Sequence, residues 1–307
     1  HVWGALKGWE KMLGRELIVW DKGQRARLTP FGEKLLWAER QTQARLAPQI
    51  ETLRGDIERA YASAFDDSLN VLTICTGENP ELLALRDRAA RGGLHLDLHF
   101  MGSVDAVAEL AAGRCTVAAF HTCNRPSAKS GYAQAYRPLL KPEAHTLIRF
   151  GQRRLGLIVA PGNPLGITSL ADLLRAGLRY VHRAPGSGTR LVLDALLASA
   201  VVDPASVQGY TNEEPSHAAV AQAVASGRAD AGLGMEAATL EKGLGFVPLV
   251  DEVCYLACET SAMSSPAVQA LLGVLQSQAP DGTCQHLSLP EVLPWWKPRA
   301  SKTTDLP

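Results

Sequence analysis

Apolar residues recur at three- and four-residue steps at Leu6, Trp9, Leu13 and Leu17, one face of a short amphipathic helix starting at Trp3, with Gly14 as its C-terminal cap. Leu17-Ile18-Val19-Trp20, a turn at Asp21-Lys22-Gly23-Gln24 and the return Ala26-Arg27-Leu28 follow as a small hairpin. Thr29 can then cap a new helix whose first residue is Pro30. That helix extends to about Phe65 and carries Leu46, Ile50, Leu53 and Ile57 as a stripe, with Leu35 and Leu36 further back. At about 50 Å long it cannot bury the stripe alone, so it needs a partner, such as its own copy.

Beyond Asp66-Asp67-Ser68 the rhythm changes to strands alternating with helices. Strands are predicted at 71–75, 95–101, 117–120, 157–160, 180–182 and 229–233, and helices at 81–90, 104–112, 170–174, 191–200, 218–225 and 268–275. Repeated βα units of this length predict parallel sheets with helices on both faces, an α/β fold.

Composition changes this picture little. A chain of 307 residues exceeds one ordinary core, and its 31 basic residues balance its 31 acidic ones. Nucleic-acid binding would therefore need a local patch. Residues 1–34 supply one, with seven basic against four acidic side chains, a net charge of +3. The six cysteines form neither a CxxC pair nor a secreted framework, which favours thiols in a reducing compartment. Cys254 and Cys258 lie about 13 Å apart if Val253–Cys258 is a strand, too far to bridge. No run of 18 apolar residues or signal-peptide pattern is present, so a cytoplasmic protein that engages no membrane is expected. The chain opens at His1 inside a helix, and residues upstream are expected.

Chemistry is expected where strands end and helices begin, because free N–H groups and the helix dipole favour small anions there. The junctions offer Thr76, Ser103, His121, Thr122, Ser187, Gly188, Thr189, Arg190, Ser216, His217 and Glu236 as ligand contacts. Gly186-Ser-Gly-Thr-Arg190 is the sharpest, with converging backbone N–H groups, two hydroxyls and Arg190 to complement an anion. Ser103 reads equally as a helix cap and the histidines as core residues, while a plain cap is the alternative for Ser187. No catalytic metal site, nucleophile elbow or phosphate loop appears, so an enzyme is disfavoured. Gly232-x-Gly234-x-x-Ala237 imitates a dinucleotide fingerprint, but Gly243 and Gly245 leave its helix under two turns long. Lys22, Arg25 and Arg27 on the hairpin, with Lys7 and Lys11 on the helix before it, are placed to touch DNA phosphates as a winged helix does.

Leu6-x-x-Trp9-Glu10-x-x-Leu13-Gly14-x-x-Leu17 followed by Arg27-Leu28-Thr29-Pro30-x-Gly32-Glu33 resembles the recognition helix, wing and linker helix of LysR-type regulators, and more closely of the molybdate-responsive ModE type. Gly156–Pro164, Gly186–Arg190, Glu213-Glu214-x-x-His217 and Val224–Gly234 are similar to the molybdate-binding-protein-like domain joined to such heads. The resemblance implies a two-lobed, type II periplasmic-binding-protein-like (PBP-like) effector domain behind a partial winged helix-turn-helix and a long linker helix. The expected boundaries are 1–28 for the head, 29–66 for the linker and 69–280 for the effector domain, with 281–307 as a tail. Lobe I would take about 69–157 plus 259–280, and lobe II about 158–258. The function implied is a transcription regulator that binds double-stranded DNA, pairs as a homodimer or tetramer through the linker helix, and senses molybdate, tungstate or another small anion such as formate or a molybdenum-cofactor-related metabolite. No cofactor or metal is required. A solute-binding receptor of an oxyanion transport system is the alternative.

Overall fold

In a computed structural model the described residues are 2–20, 25–65, 70–123, 130–277 and 286–293. Helix α1 (Val2–Leu13) leads to a two-stranded ribbon of β1 (Ile18–Val19) and β2 (Arg27–Leu28), paired antiparallel. The Glu10 carboxylate ties these together, accepting from the N–H groups of Leu17 at 2.8 Å and Ile18 at 3.2 Å while pairing with Lys7. The expected hairpin turn, with Lys22, lies outside the described residues.

Helix α2 (Pro30–Phe65) starts as the sequence suggests, with the Thr29 hydroxyl accepting from Gly32 N at 3.0 Å. Gly32 is needed there, since a side-chain carbon would overlap the Leu17 carbonyl oxygen. The helix does not stand apart from the rest of the chain. Its first half binds one lobe and its second half the other, and Pro48 falls between the two contact regions.

The α/β part is built from β3 (Asn70–Thr76), α3 (Pro80–Arg91), β4 (Leu94–Phe100), α4 (Ser103–Ala111), β5 (Val117–Cys123), α5 (Gly131–Tyr136) and β6 (His145–Val159). It continues with β7 (Tyr180–Arg183), α6 (Gly188–Ser199), β8 (Glu213–Glu214), α7 (His217–Ala225), β9 (Ala231–Met235), α8 (Ala237–Leu240) and β10 (Gly245–Glu259). Helix α9 (Pro266–Gln276), β11 (His286–Ser288) and α10 (Leu289–Val292) close the described chain. The sheet order is β4-β3-β5-β10-β6-β9-β7-β8, with β11 added beside β6.

Three expectations are corrected here. The sheet is mixed: β10 runs antiparallel to both β5 and β6, and β6 antiparallel to β9. Strands β6 and β10, each 15 residues long, pass through both lobes, so the chain crosses between lobes inside them, near Arg153 and Glu252, and not at residues 158 and 258. Residues 286–293 also belong to lobe I, since β11 pairs with β6 and Leu289 and Leu293 are buried in its core. Periodicity missed the first twelve residues of β6 because an arginine-rich stretch, Arg149 to Arg154, masks its alternation.

Each lobe sandwiches its part of the sheet between helices. In lobe I, Leu72, Ile74, Leu96, Leu98 and Ile148 meet α3 and α9 on one face. On the other face Phe120, Tyr132, Tyr136 and Val107 form a cluster that also takes in Val192 and Met235 from lobe II, so the two lobes are packed together. Burying such side chains contributes roughly 1.5–3 kcal/mol each.

Candidate functional site

The carboxyl ends of β3, β4, β5, β7 and β9 converge on the line between the lobes. Two backbone loops touch across it. Val104 N, at the start of α4, donates to Gly186 O at 3.3 Å, and a side-chain carbon on Gly102 would overlap that same carbonyl. Gly186 itself has φ +83°, a conformation that glycine adopts without strain. The N-termini of α4 and α6 thus face each other, with the Ser103 hydroxyl against Gly188 and the Tyr136 hydroxyl behind it.

Below this contact lies a buried polar cluster. At its floor, where β6 and β10 cross between lobes, Arg153 pairs with Glu252, which is fully buried and also accepts from Tyr132 Oη at 3.0 Å. Burial works against the charge on Arg153, but Glu252 outweighs it and the guanidinium stays ionised. Arg183, at the end of β7, is 8% exposed, and its Nε has no hydrogen-bond partner. Burial lowers it to about 10, with Arg153 acting in the same sense and Glu78 opposing.

Two histidines complete the cluster. His217 opens α7, and burial, then Arg183, Arg153 and His121, push it well below the ordinary imidazole range. It is neutral, and Met235 N donates to its Nδ1 at 3.3 Å, which places the ring proton on Nε2, facing the Thr189 hydroxyl at 3.4 Å. His121, at the end of β5, is likewise pushed well below its ordinary value by burial and then by Arg153. It is 1% exposed and neither ring nitrogen has a partner.

Unpartnered buried polar atoms each cost about 1–3 kcal/mol, so their grouping needs a cause. Arg183 Nε, both His121 nitrogens and Tyr136 Oη all lie in this cluster. Beside it is a cavity of about 210 Å³, lined by Asn79 and Glu81 of lobe I, Arg153 and Cys254 of the crossing strands, and Met235 and Glu236 of lobe II. At about 30 Å³ per water in the liquid, that volume suits a solute of a few heavy atoms. A larger groove, about 780 Å³, lies outside the cleft between α2 and α7.

The model of the PBP superfamily domain family matches residues 85–276. The chain belongs to that family. The uncharacterised protein YvgK of Bacillus subtilis (strain 168) is 35% identical over 153 residues, and the match spans 50% of this chain and 49% of that protein. Among solved structures, the PBP domain shares its fold with the regulatory domain of Synechocystis PCC6803 CcmR, in complex with 2-PG, at TM-score 0.54 and 16% identity over 69% of this chain and 99% of that one. The Corynebacterium glutamicum OxyR C206S mutant, H2O2-bound, aligns over 91% of this chain and 83% of its own at TM-score 0.51 and 18% identity. The architecture is the type II PBP-like one of LysR-type regulatory domains.

In this PBP domain the junction residues read from the sequence divide into three groups. Ser103, His121, Gly188, Thr189 and His217 meet at the cluster. Thr76 and Thr122 are buried at the strand ends, where each hydroxyl bonds a neighbouring backbone carbonyl. The others are engaged elsewhere. The Ser187 hydroxyl caps α6, accepting from Arg190 N and donating to Ala184 O. Arg190 points to the far side of lobe II, over the Tyr210 ring at 4.1 Å and against Asp194 at 3.1 Å, so its guanidinium is not in the cluster. Glu236 reaches the cavity rim but pairs with Arg154. Ser216 caps α7 and turns its hydroxyl toward α2, donating to Ala44 O at 2.8 Å.

Arg153, Arg183, Glu78, Tyr136 and Glu252 escaped the sequence reading. Arg183 carried a usable signal, since it follows strand 180–182 and precedes Pro185-Gly186. Arg153 and Glu252 carried none, because only the pairing of β6 with β10 joins positions 99 residues apart.

The linker helix is fastened to both lobes. Arg45 makes a two-pronged pair with Glu214 at 2.7 and 2.8 Å, and Gln41 donates to Ala219 O, both in lobe II. Thr52 accepts from Phe100 N, Glu51 pairs with Arg86, and Arg59 with Asp97, all in lobe I. Asp56, Asp97 and His99 bring metal-type ligand atoms within 4.8 Å, but the Arg59 guanidinium already bridges both carboxylates and takes the place of a cation. In the head, Lys7 is held by Glu10 and stacks over Trp3, whereas Lys11, Arg25 and Arg27 lie on the exposed surface.

Proposed function

We propose that the chain is the sensing part of a DNA-binding transcription regulator whose cleft takes a small anion. One observation carries this reading: unpartnered, buried Arg183 Nε and His121 gather around Arg153 where α4, α6 and α7 begin, beside the buried Tyr136 hydroxyl. Donors preorganised in a buried, low-dielectric cleft bind an anion strongly, as each charge-assisted hydrogen bond contributes about 1.5–3 kcal/mol. The CcmR regulatory domain, alike in fold, holds 2-PG. Molybdate and tungstate are the first candidates from the sequence resemblance, and formate the smallest alternative.

Helix α2 fits the regulator reading better than a transport receptor. Its stripe Leu46, Ile50, Leu53, Ile57 and Tyr61 is exposed, with Leu53 at 61%, and would pair with a second copy to make a homodimer. Arg25 and Arg27 of the ribbon, with Lys11, would then meet the phosphates of double-stranded DNA, in the cytoplasm. Among the described residues no helix is long and apolar enough to cross a membrane.

The test is thermal melting of the full chain with molybdate, tungstate, sulfate, phosphate and formate. A ligand at a hundred times its Kd should stabilise by about 2.7 kcal/mol. Five unmoved midpoints would reject the anion reading.

A further inference from the structure

Glu78 leaves β3 in lobe I, yet its carboxylate is bound in lobe II. Oε2 accepts from His217 N, the first N–H of α7, at 2.6 Å. Helix α7 has nine residues, and its own cap, Ser216, already serves Ala219 N. The third helical position, where a local glutamate would close a capping box, is Ala219. A carboxylate from the opposite lobe fills that role instead. Arg183 borders the same corner, with its unpartnered Nε and with Glu78 as the charge that favours its ionised form. A helix N-terminus next to a buried guanidinium is an anion-binding corner, and the anion in it is the chain's own.

We propose that Glu78 is an internal stand-in for the anionic group of the effector. It holds the α7 corner until a soluble anion displaces it, and so sets the concentration at which the cleft responds. This rests on the anion reading of the cleft. Charge balance gives the argument its direction. Arg153 is paired with Glu252, and Glu78 already occupies the N–H of His217 and favours the charge on Arg183, so a second anion beside Glu78 would crowd two negative charges into one half-buried corner, which is costly. Exchange avoids that cost for a singly charged ligand, because one carboxylate leaves as one anion enters. The corner therefore favours a monoanion with two acceptor oxygens, a small carboxylate, over a dianion such as molybdate. Exchange also severs the Glu78–His217 link between the lobes and puts the ligand in its place.

The experiment is calorimetric titration of the 307-residue chain and of its Glu78→Gln variant with formate, acetate and molybdate. Gln keeps the size and hydrogen-bonding capacity of Glu and removes its charge, and a melting curve checks that the variant is folded. The expected result is formate or acetate binding at least tenfold tighter to Glu78→Gln, the equivalent of one charge-assisted hydrogen bond released from competition. A smaller gain or a loss of affinity overturns the proposal and leaves the anion reading standing. Binding of none of the three to either protein overturns both.

Discussion

Pro48 interrupts α2 at a place where its cost is met from outside the helix. Lacking an N–H, it cannot donate to Ala44 O, four residues earlier, and the Ser216 hydroxyl of lobe II donates to that carbonyl at 2.8 Å. Ser216 also accepts from Ala219 N at 2.9 Å as the cap of α7. Ser216→Ala thus removes two bonds at once. Loss of the cap costs about 1 kcal/mol, and a carbonyl left without its partner in a packed contact about 1–3 kcal/mol more, so roughly 2–4 kcal/mol in all. Pro48→Ala changes that sum, because it restores a backbone N–H at this position, which reaches Ala44 O within the helix. In that background Ser216→Ala should cost only the cap, about 1 kcal/mol. The four proteins of this double-mutant cycle are unfolded in urea and followed by circular dichroism and tryptophan fluorescence. The expected coupling is about 1–3 kcal/mol. An equal cost of Ser216→Ala in both backgrounds would refute the idea that the proline's freed carbonyl is held by lobe II.

Two further outcomes follow from the site. Burial holds His121 and His217 neutral in the folded chain, whereas the unfolded chain protonates them below about pH 6.5. Since the unfolded state then binds more protons, stability falls as pH falls, by about 2 kcal/mol between pH 6.5 and 5.5 for the pair, and His121→Gln should remove about half of that slope in urea midpoints. An unaltered slope would mean that His121 titrates normally. Arg190→Ala loses the Tyr210 stack and the Asp194 pair and should cost about 1–2 kcal/mol of stability, yet leave anion affinity within about twofold by titration. A tenfold loss would return Arg190 to the cleft.

Local signals made the longer helices and most of the parallel strands legible. Thr29-Pro30 announces α2, and Ser187 before Gly188-Thr189 announces α6. Ser103, His121, Thr189 and His217 are legible as candidates because each stands at a strand-to-helix corner, which a window of a few residues can recognise. Only the ends of the crossing strands, 157–160 and 253–258, were legible, because the crossing part of β6 gains its identity by pairing with β10 a hundred residues later. The charged core was hidden for the same reason: a lone Arg153 or Glu252 in sequence reads as surface, and burial becomes tolerable only once the two meet. Arg190 misled in the opposite way. Four residues separate it from Asp194 on one helical face, and that i,i+4 pairing, together with Tyr210, directs the guanidinium away from the loop that its neighbours build.

The segment from Glu214 to His217 joins the cleft to α2 within four residues. Glu214 holds Arg45, Ser216 holds Ala44 O at the proline break, and His217 lies in the cluster with its N–H on Glu78. Ser216 and His217 are adjacent on one helix start, so a shift of that start by a fraction of an ångström to accommodate a ligand in place of Glu78 changes the Ser216–Ala44 distance too. Helix α2 is weakest at this point, where Pro48 leaves an intrahelical bond unmade. The lobe I anchors, Thr52 with Phe100 and Arg59 with Asp97, lie beyond the break and hold the second half of the helix still. Movement of α7 on exchange is therefore expected to change the bend at Pro48 and to swing the half of α2 joined to the ribbon, and a distance between spin labels on the two halves of α2 that does not change with bound ligand would refute this.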